Sequence, residues 1–340
     1  MKRGLTGIGC FLLIASVVAG HAAEQYYVPL IREQADNTID LYWMKLNQEG
    51  KLVKGPRLIR DSSGEIWSAA IVPQGNKMLF EERALFGTSS QVYSVDVNPS
   101  SGKVTSGPVA LMTGSAYNYY GLSISQDGRK FIFSRAAAFA RFATWDIFLR
   151  KFKKNGSLTP NTIPIATSAG SESFPFITEN ARRAYYNRVY PLETGGPTSA
   201  IFMQALNANG TASGAPVLAM RIENQNLYLP MLNSAGSWMS YYNSTDDNLY
   251  VTRMSGAGLA TGTPVKVTSV GAGQSALGGI TRNAQILLYT LVGVGARMDG
   301  IGQTYTVYSQ KLDSNGNPDG APTQIVAAWP YWQEPWILAD

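Results

Sequence analysis

The chain has 340 residues, 45% of them hydrophobic and only 15% charged, with a formal net charge of +5. That is enough apolar material for a large buried core and too much for a disordered chain. Charges of both signs are scattered without a basic stripe, which argues against a nucleic-acid partner.

The N-terminus reads MKRGLTGIGCFLLIASVVAGHAAEQ. Lys2 and Arg3 precede an apolar run from Leu5 to Ala19, and Gly20, Ala22 and Ala23 then lead into Glu24-Gln25. This is the layout of a secretory signal over residues 1–23, cleaved after Ala22 or Ala23. The alternative is an uncleaved anchor, but the run is short for a span and ends in small residues. A lipid anchor at Cys10 lacks the usual aliphatic residue three positions upstream. Export places the mature chain in the periplasm or outside the cell. Cleavage also removes the one cysteine, Cys10, and the one histidine, His21. A mature chain without either has no disulfide, no thiol nucleophile, no histidine base and no His/Cys metal or haem site. No cofactor or metal is expected. Loss of Lys2 and Arg3 leaves 26 Lys+Arg against 23 Asp+Glu, a charge of +3. No later stretch is long enough to span a membrane.

After the signal, YYVPLI (26–31) reads as a second strand without a first, followed by the apolar–aromatic strand IDLYWMKL. From there four landmarks recur in one order. The first is an inner hairpin turn, at Gln74-Gly75, Asp127-Gly128, Glu179-Asn180, Ala235-Gly236 and Arg282-Asn283. The second is an apolar–aromatic strand: QVYSVDV, WDIFLRKF, AIFMQAL, NLYVTRM and YTVYSQKL. The third is a polar-Gly turn, from Glu49-Gly50 to Asn315-Gly316, and the fourth a Gly-Pro or Gly-x-Pro opening the last strand, as at Gly55-Pro56 and Gly107-Pro108. The interval is roughly 47–58 residues and holds four strands. One such unit cannot bury both faces alone, so the period predicts the blades of a β-propeller. Five blades begin near residues 67, 120, 173, 227 and 276. The terminal EPWILAD reads as the first strand missing from the N-terminal blade. The expectation is an all-β, six-bladed propeller over residues 24–340, four antiparallel strands per blade. Its ring is closed by the C-terminal strand, which also removes an exposed sheet edge.

The best copy of the repeat is Ser125-Gln126-Asp127-Gly128 with Phe131-Ile132-Phe133, then Asp146-Ile147-Phe148. Asp40-Leu41-Tyr42 and Asn248-Leu249-Tyr250 match its second half. This pattern resembles the WD-like repeat of the TolB β-propeller family. The resemblance implies a periplasmic six-bladed propeller that acts by binding other proteins. The family's extra N-terminal α/β domain has no counterpart between signal and propeller here.

In such a blade the longer loops share one face, and long loops on a rigid scaffold carry binding residues. Loops 81–90, 134–144, 187–199 and 291–303, with links such as 59–66 and 112–119, define that face and the mouth of the channel. An acid or amide recurs near each inner strand: Glu65, Asn118, Glu172, Asn226, Gln274 and Glu334. Arg32, Arg135 and Arg188 follow the second strand, where one blade has Glu81-Glu82-Arg83 instead. These groups either bind a polar ligand or peptide terminus, or hydrogen-bond neighbouring blades. Tyr119 and Tyr120, within Tyr117–Tyr120, and Trp329, Tyr331 and Trp332 are the interface-type aromatics, with Trp67 and Tyr190 nearby; blade-to-blade packing is their alternative use. Asp313–Gly320 resembles the start of a calcium loop but lacks its sixth-position Gly and closing Glu, and reads as a plain turn. Asn243–Asp247 is a similar polar loop.

Two function classes follow. One is a non-catalytic module that binds a protein or peptide partner, or a glycan or small polar ligand, through the long-loop face. The other is a glycan-active hydrolase or lyase drawing on Glu81, Glu82, Glu172 and Glu334, with Arg135 and Arg188 receiving an acidic sugar. A close pair of free carboxylates favours the enzyme; carboxylates each paired with an arginine favour the binding module.

Overall fold

A computed structural model describes residues 25–337 apart from 35–37, 73–74, 86, 139–144, 155, 169, 190–198, 272–273, 282, 294–303 and 327–334. Residues 33, 274, 275, 277, 292, 293, 304, 305 and 335–337 are described by backbone alone. The expected signal segment, Tyr190, Trp329, Tyr331, Trp332 and Glu334 lie outside the described residues. Within them there are 24 strands and no helix, and hence no helix long and apolar enough to cross a membrane.

The first strands are β1 (Gln25–Glu33), β2 (Ile39–Asn47) and β3 (Leu52–Arg60). The next four are β4 (Gly64–Ile71), β5 (Lys77–Ala84), β6 (Ser90–Val97) and β7 (Val104–Met112). A single parallel bridge, Ile39↔Glu65, joins these two groups into one sheet. β24 (Pro335–Ile337) adds to it along β1, with Ile31 opposite Trp336. Four separate four-stranded sheets follow. β8 (Tyr117–Ile124), β9 (Lys130–Ala137), β10 (Asp146–Lys151) and β11 (Ile163–Ala166) form one. β12 (Ser171–Ile177), β13 (Arg183–Val189), β14 (Ser199–Leu206) and β15 (Ala212–Met220) form the next. β16 (Leu227–Leu232), β17 (Trp238–Asn243), β18 (Asn248–Met254) and β19 (Ala260–Lys266) form the third. β20 (Gln274–Ile280), β21 (Ile286–Gly293), β22 (Thr304–Lys311) and β23 (Thr323–Val326) form the last. The first strands β4, β8, β12, β16 and β20 pack in succession around an axis. The architecture is a β-propeller.

The near-continuous apolar runs follow from burial on both faces of each sheet. Side chains alternate along a strand, so neighbouring residues join different cores. On β13, Tyr186 packs toward Ile147 and Leu149 of the preceding sheet, whereas Tyr185 packs toward Met239 and Tyr241 of the following one. On β21, Leu287 and Tyr289 share a core with Leu249 and Val251, while Ile286 and Leu288 share one with Tyr26, Val28 and Leu30 near the N-terminus. Sheets are also latched through their turns. Arg253 donates to the Ser314 carbonyl at 2.8 Å, Lys151 to that of Asn209 at 3.2 Å and Arg57 to that of Ser101 at 3.1 Å. Gly102 (φ +69) lies flat on the fully buried Trp43 ring, where any Cβ would collide with the indole.

Inner hairpins repeat a Ser/Thr-x-Asp/Asn device. Ser125 Oγ donates to Asp127 at 2.6 Å, Thr178 Oγ1 to Asn180 at 3.0 Å and Thr281 Oγ1 to Asn283 at 2.9 Å. The left-handed residue is Gly128 in one copy and Ala181 or Ala284 in the others. The turns expected at Glu179-Asn180 and Arg282-Asn283 thus centre one residue later.

Two further expectations are corrected. Gly-Pro does not open the outer strand in most sheets. Gly55-Pro56, Gly107-Pro108, Gly214–Pro216 and Gly262–Pro264 lie inside β3, β7, β15 and β19, at register shifts against the neighbouring strand. Proline lacks an N–H and is tolerated at a bulge on an edge strand. Also, at least half of each of the segments 81–90 and 59–66 is strand: β5 runs to Ala84, β6 starts at Ser90 and β4 starts at Gly64, so the joining loops are short.

Candidate functional site

The expected site residues that are described sit where second strands end and first and third strands begin, at one end of the axis. The structure ties its carboxylates down one by one. Glu65, at the start of β4, receives Arg83 of β5 through Nε at 2.8 Å and Nη2 at 2.5 Å, and Trp67 Nε1 at 3.3 Å. Glu82 receives Arg60 Nη2 on both oxygens at 3.2 Å, and Ser62 Oγ at 2.5 Å. Glu172, at the start of β12, receives Arg188 Nε at 3.0 Å and the Ser168 hydroxyl, all on Oε1. Its side chain is 0% exposed and that of Arg188 17%. The second oxygen, Oε2, is buried without a hydrogen-bond partner among the described residues.

Arg135 stands apart. It occupies on β9 the position Arg188 occupies on β13, but the residue across from it on the inner strand is Tyr119, where Arg188 has Glu172. Its guanidinium lies 4.4 Å from the Tyr117 ring centroid and 3.7 Å from that of Phe148, and makes no ion pair among the described residues. Asp146 lies across from it on β10. Burial, with the charge of Glu172, holds the Asp146 carboxyl above the usual carboxylate range against the attraction of Arg135. Burial likewise raises the Tyr119 phenol.

Beside these groups runs an arc of aromatic rings on three consecutive inner strands. Tyr120 meets Phe174 edge-on at 5.4 Å, and Phe174 meets Tyr228 edge-on at 6.2 Å. Trp145 lies 5.8 Å from Tyr120 on its other side. A bulge at the same place in β8, β12 and β16 turns these rings, with Gly121 (φ +66), Phe174 (φ +52) and Leu229 (φ +57) left-handed. Left-handed Phe and Leu are strained conformations, held here by their neighbours. The N–H at or just beyond each bulge is fixed by the preceding sheet: Leu122 donates to Ser68 Oγ at 2.9 Å, Ile177 to Ser123 Oγ at 3.2 Å and Leu229 to Asn187 Oδ1 at 3.0 Å. Tyr120 and Tyr228 remain half-buried. Sequence reasoning missed Phe174, Tyr228, Arg60, Ser62 and Ser168. Tyr228 was findable, since it falls on Tyr120 when the repeats are superposed.

Glu81 is a different case. It is 2% exposed, and the Trp67 N–H donates to its Oε2 at 3.3 Å. Burial pushes its carboxyl up to about 8, so it is protonated at neutral pH. Among the other expected residues, Asn118 leaves Oδ1 buried with no hydrogen-bond partner among the described residues. Asp313 spends its carboxylate on the N–H groups of Asn315 and Asn317, both at 2.8 Å, as a plain turn does. In the Asn243–Asp247 loop, Asp246 receives Tyr250 at 2.7 Å and Lys266 at 2.9 Å. No group of three His, Cys, Asp or Glu arranged to hold a metal occurs among the described residues.

The opposite end of the axis carries a polar groove of about 820 Å³ at the short turns, lined by Glu49, Ser234, Trp238, Gln285, Lys311 and Asp319 among others. One face of Trp238 is taken by Arg253, 4.8 Å from the ring centroid.

The sequence matches no protein-family model and no curated protein. Solved structures share the fold at low identity. Periplasmic gluconolactonase of Pseudomonas aeruginosa is similar with a TM-score of 0.55 at 12% identity, covering 92% of this chain and 99% of that one. A putative TolB of Agrobacterium tumefaciens is similar with a TM-score of 0.53 at 12% identity, covering 93% and 98%. A chain of the nidogen/laminin complex gives 0.57 at 10% identity, covering 91% and 98%.

Proposed function

We propose that this chain is an exported six-bladed β-propeller that binds a protein or peptide at its long-loop end. The observation that carries this reading is the pairing of Glu65, Glu82 and Glu172 with Arg83, Arg60 and Arg188. Carboxylates committed to arginines build a rigid rim and supply neither a nucleophile nor a base. The rings of Tyr120 and Tyr228 beside that rim are of the kind that anchors interfaces. In this reading β24 completes the sheet of β1–β3 as the sixth blade, residues 1–23 are the signal, and the compartment is the periplasm or the exterior. The likeness in fold to a putative TolB agrees with it. Capture of partners from envelope and culture-supernatant extracts tests the reading, with Tyr120→Ala/Tyr228→Ala as the folded control. A partner held by the wild type and lost by the control supports it; equal capture by both contradicts it.

The second reading is a glycan- or lactone-directed hydrolase or lyase. Glu81 favours it, as a carboxyl kept protonated at neutral pH is the form a general acid needs, and gluconolactonases share the fold. Turnover of glycans and sugar lactones that is abolished by Glu81→Gln would establish it.

A further inference from the structure

We propose that Arg135 is the anion-receiving group of the long-loop end, and that the peptide bound there presents a carboxylate to it. The inference rests on the peptide-binding reading above and names the chemistry that reading leaves open.

Three observations converge on Arg135. The first is positional. Arg135 and Arg188 are equivalent in the repeat, yet the inner strand offers Glu172 to Arg188 and Tyr119 to Arg135. Arg83, Arg60 and Arg188 have carboxylates of their own, whereas Arg135 has none among the described residues. The second is orientation. Tyr117 and Phe148 hold the guanidinium at 4.4 and 3.7 Å from their centroids. Two ring contacts restrict the guanidinium while engaging none of its N–H groups in an ion pair, and an N–H fork of this kind meets a carboxylate bidentately. The third is setting. The Tyr120–Phe174–Tyr228 arc begins on β8 at Tyr120, the residue after the Tyr119 that pairs with Arg135. Asp146 lies across from Arg135 on β10 and attracts it, but makes no ion pair with it among the described residues. A guanidinium that contacts aromatic rings and makes no ion pair is suited to receive a carboxylate from a bound peptide.

The carboxylate comes either from an acidic side chain or from a peptide's C-terminus. A random-peptide array printed in two arms, free acid and C-terminal amide, separates these sources. The full exported chain is applied as wild type, Arg135→Gln and Arg135→Lys, each first shown to unfold cooperatively. The wild type is expected to bind peptides enriched in Asp and Glu, or peptides of the free-acid arm only. Arg135→Gln is expected to lose that preference with a fall in affinity of roughly tenfold or more. Arg135→Lys keeps the sign of the preference with weaker binding, as a point charge without the fork. Peptides bound without any carboxylate preference, or a preference unchanged in Arg135→Gln, overturn the assignment and leave the peptide-binding reading standing. Binding of no peptide in either arm overturns both.

Discussion

The sheet of β8–β11 and the sheet of β12–β15 are neighbours built on one repeat, and they treat the same arginine in opposite ways. On β13, Arg188 is closed off by Glu172, which also receives the Ser168 hydroxyl. On β9, Arg135 is contacted by two rings and makes no ion pair among the described residues. The difference arises at one inner-strand position, Glu172 against Tyr119. It teaches that recurrence in a propeller marks a place in the fold, while the departure from recurrence marks a place for a ligand.

The largest expected effect lies on the closed side. Glu172→Ala strands the Arg188 guanidinium beside the core and is expected to cost about 3 kcal/mol of unfolding free energy in denaturant titrations. A loss under about 1 kcal/mol would mean that the pair contributes no more than a surface bridge. Next comes Glu81, which stands on β5 where β9 and β13 carry the neutral Ser134 and Asn187. Its carboxyl is raised from 4.5 to about 8, so the folded chain holds a proton that the unfolded chain has released between those values. Stability is therefore expected to fall as pH rises from about 4.5 to 8, and Glu81→Gln to flatten that slope in unfolding measured across pH. A smaller effect comes from making the open side resemble the closed one. Tyr119→Glu gives Arg135 a carboxylate, and is expected to weaken an acidic peptide roughly tenfold. It sacrifices the edge contact with Phe133 at about 1 kcal/mol of stability. The smallest is Arg135→Gln, expected to change stability by about 1 kcal/mol in the same titrations, since ring contacts and the attraction to Asp146 are lost but no ion pair is broken.

Much of the fold was legible because propeller sheets obey period 2 and their turns need particular residues. Asp127-Gly128 and the polar-Gly turns mark strand ends whatever their neighbours are. The recurring Arg32, Arg135 and Arg188 were legible as positions too. Their partners were not, because partnership depends on the inner strand, where bulges shift the register. Phe174 escaped notice because it is itself the left-handed bulge residue, a conformation its type disfavours. The Gly-Pro bulges in β3, β7, β15 and β19 were hidden for a similar reason: proline reads as a boundary until an edge strand is seen to bend around it.

The central claim is that ligands arrive at the end bearing Arg135 and the aromatic arc, and not at the groove beside Trp238. A photo-crosslinking side chain, p-benzoylphenylalanine, in place of the exposed Tyr117 reports on the first end, and in place of the exposed Ser234 on the second. After irradiation of cells exporting each variant, the account predicts a discrete protein adduct from position 117 and none from 234. An adduct from 234 alone would contradict it and place the partner on the short-turn face.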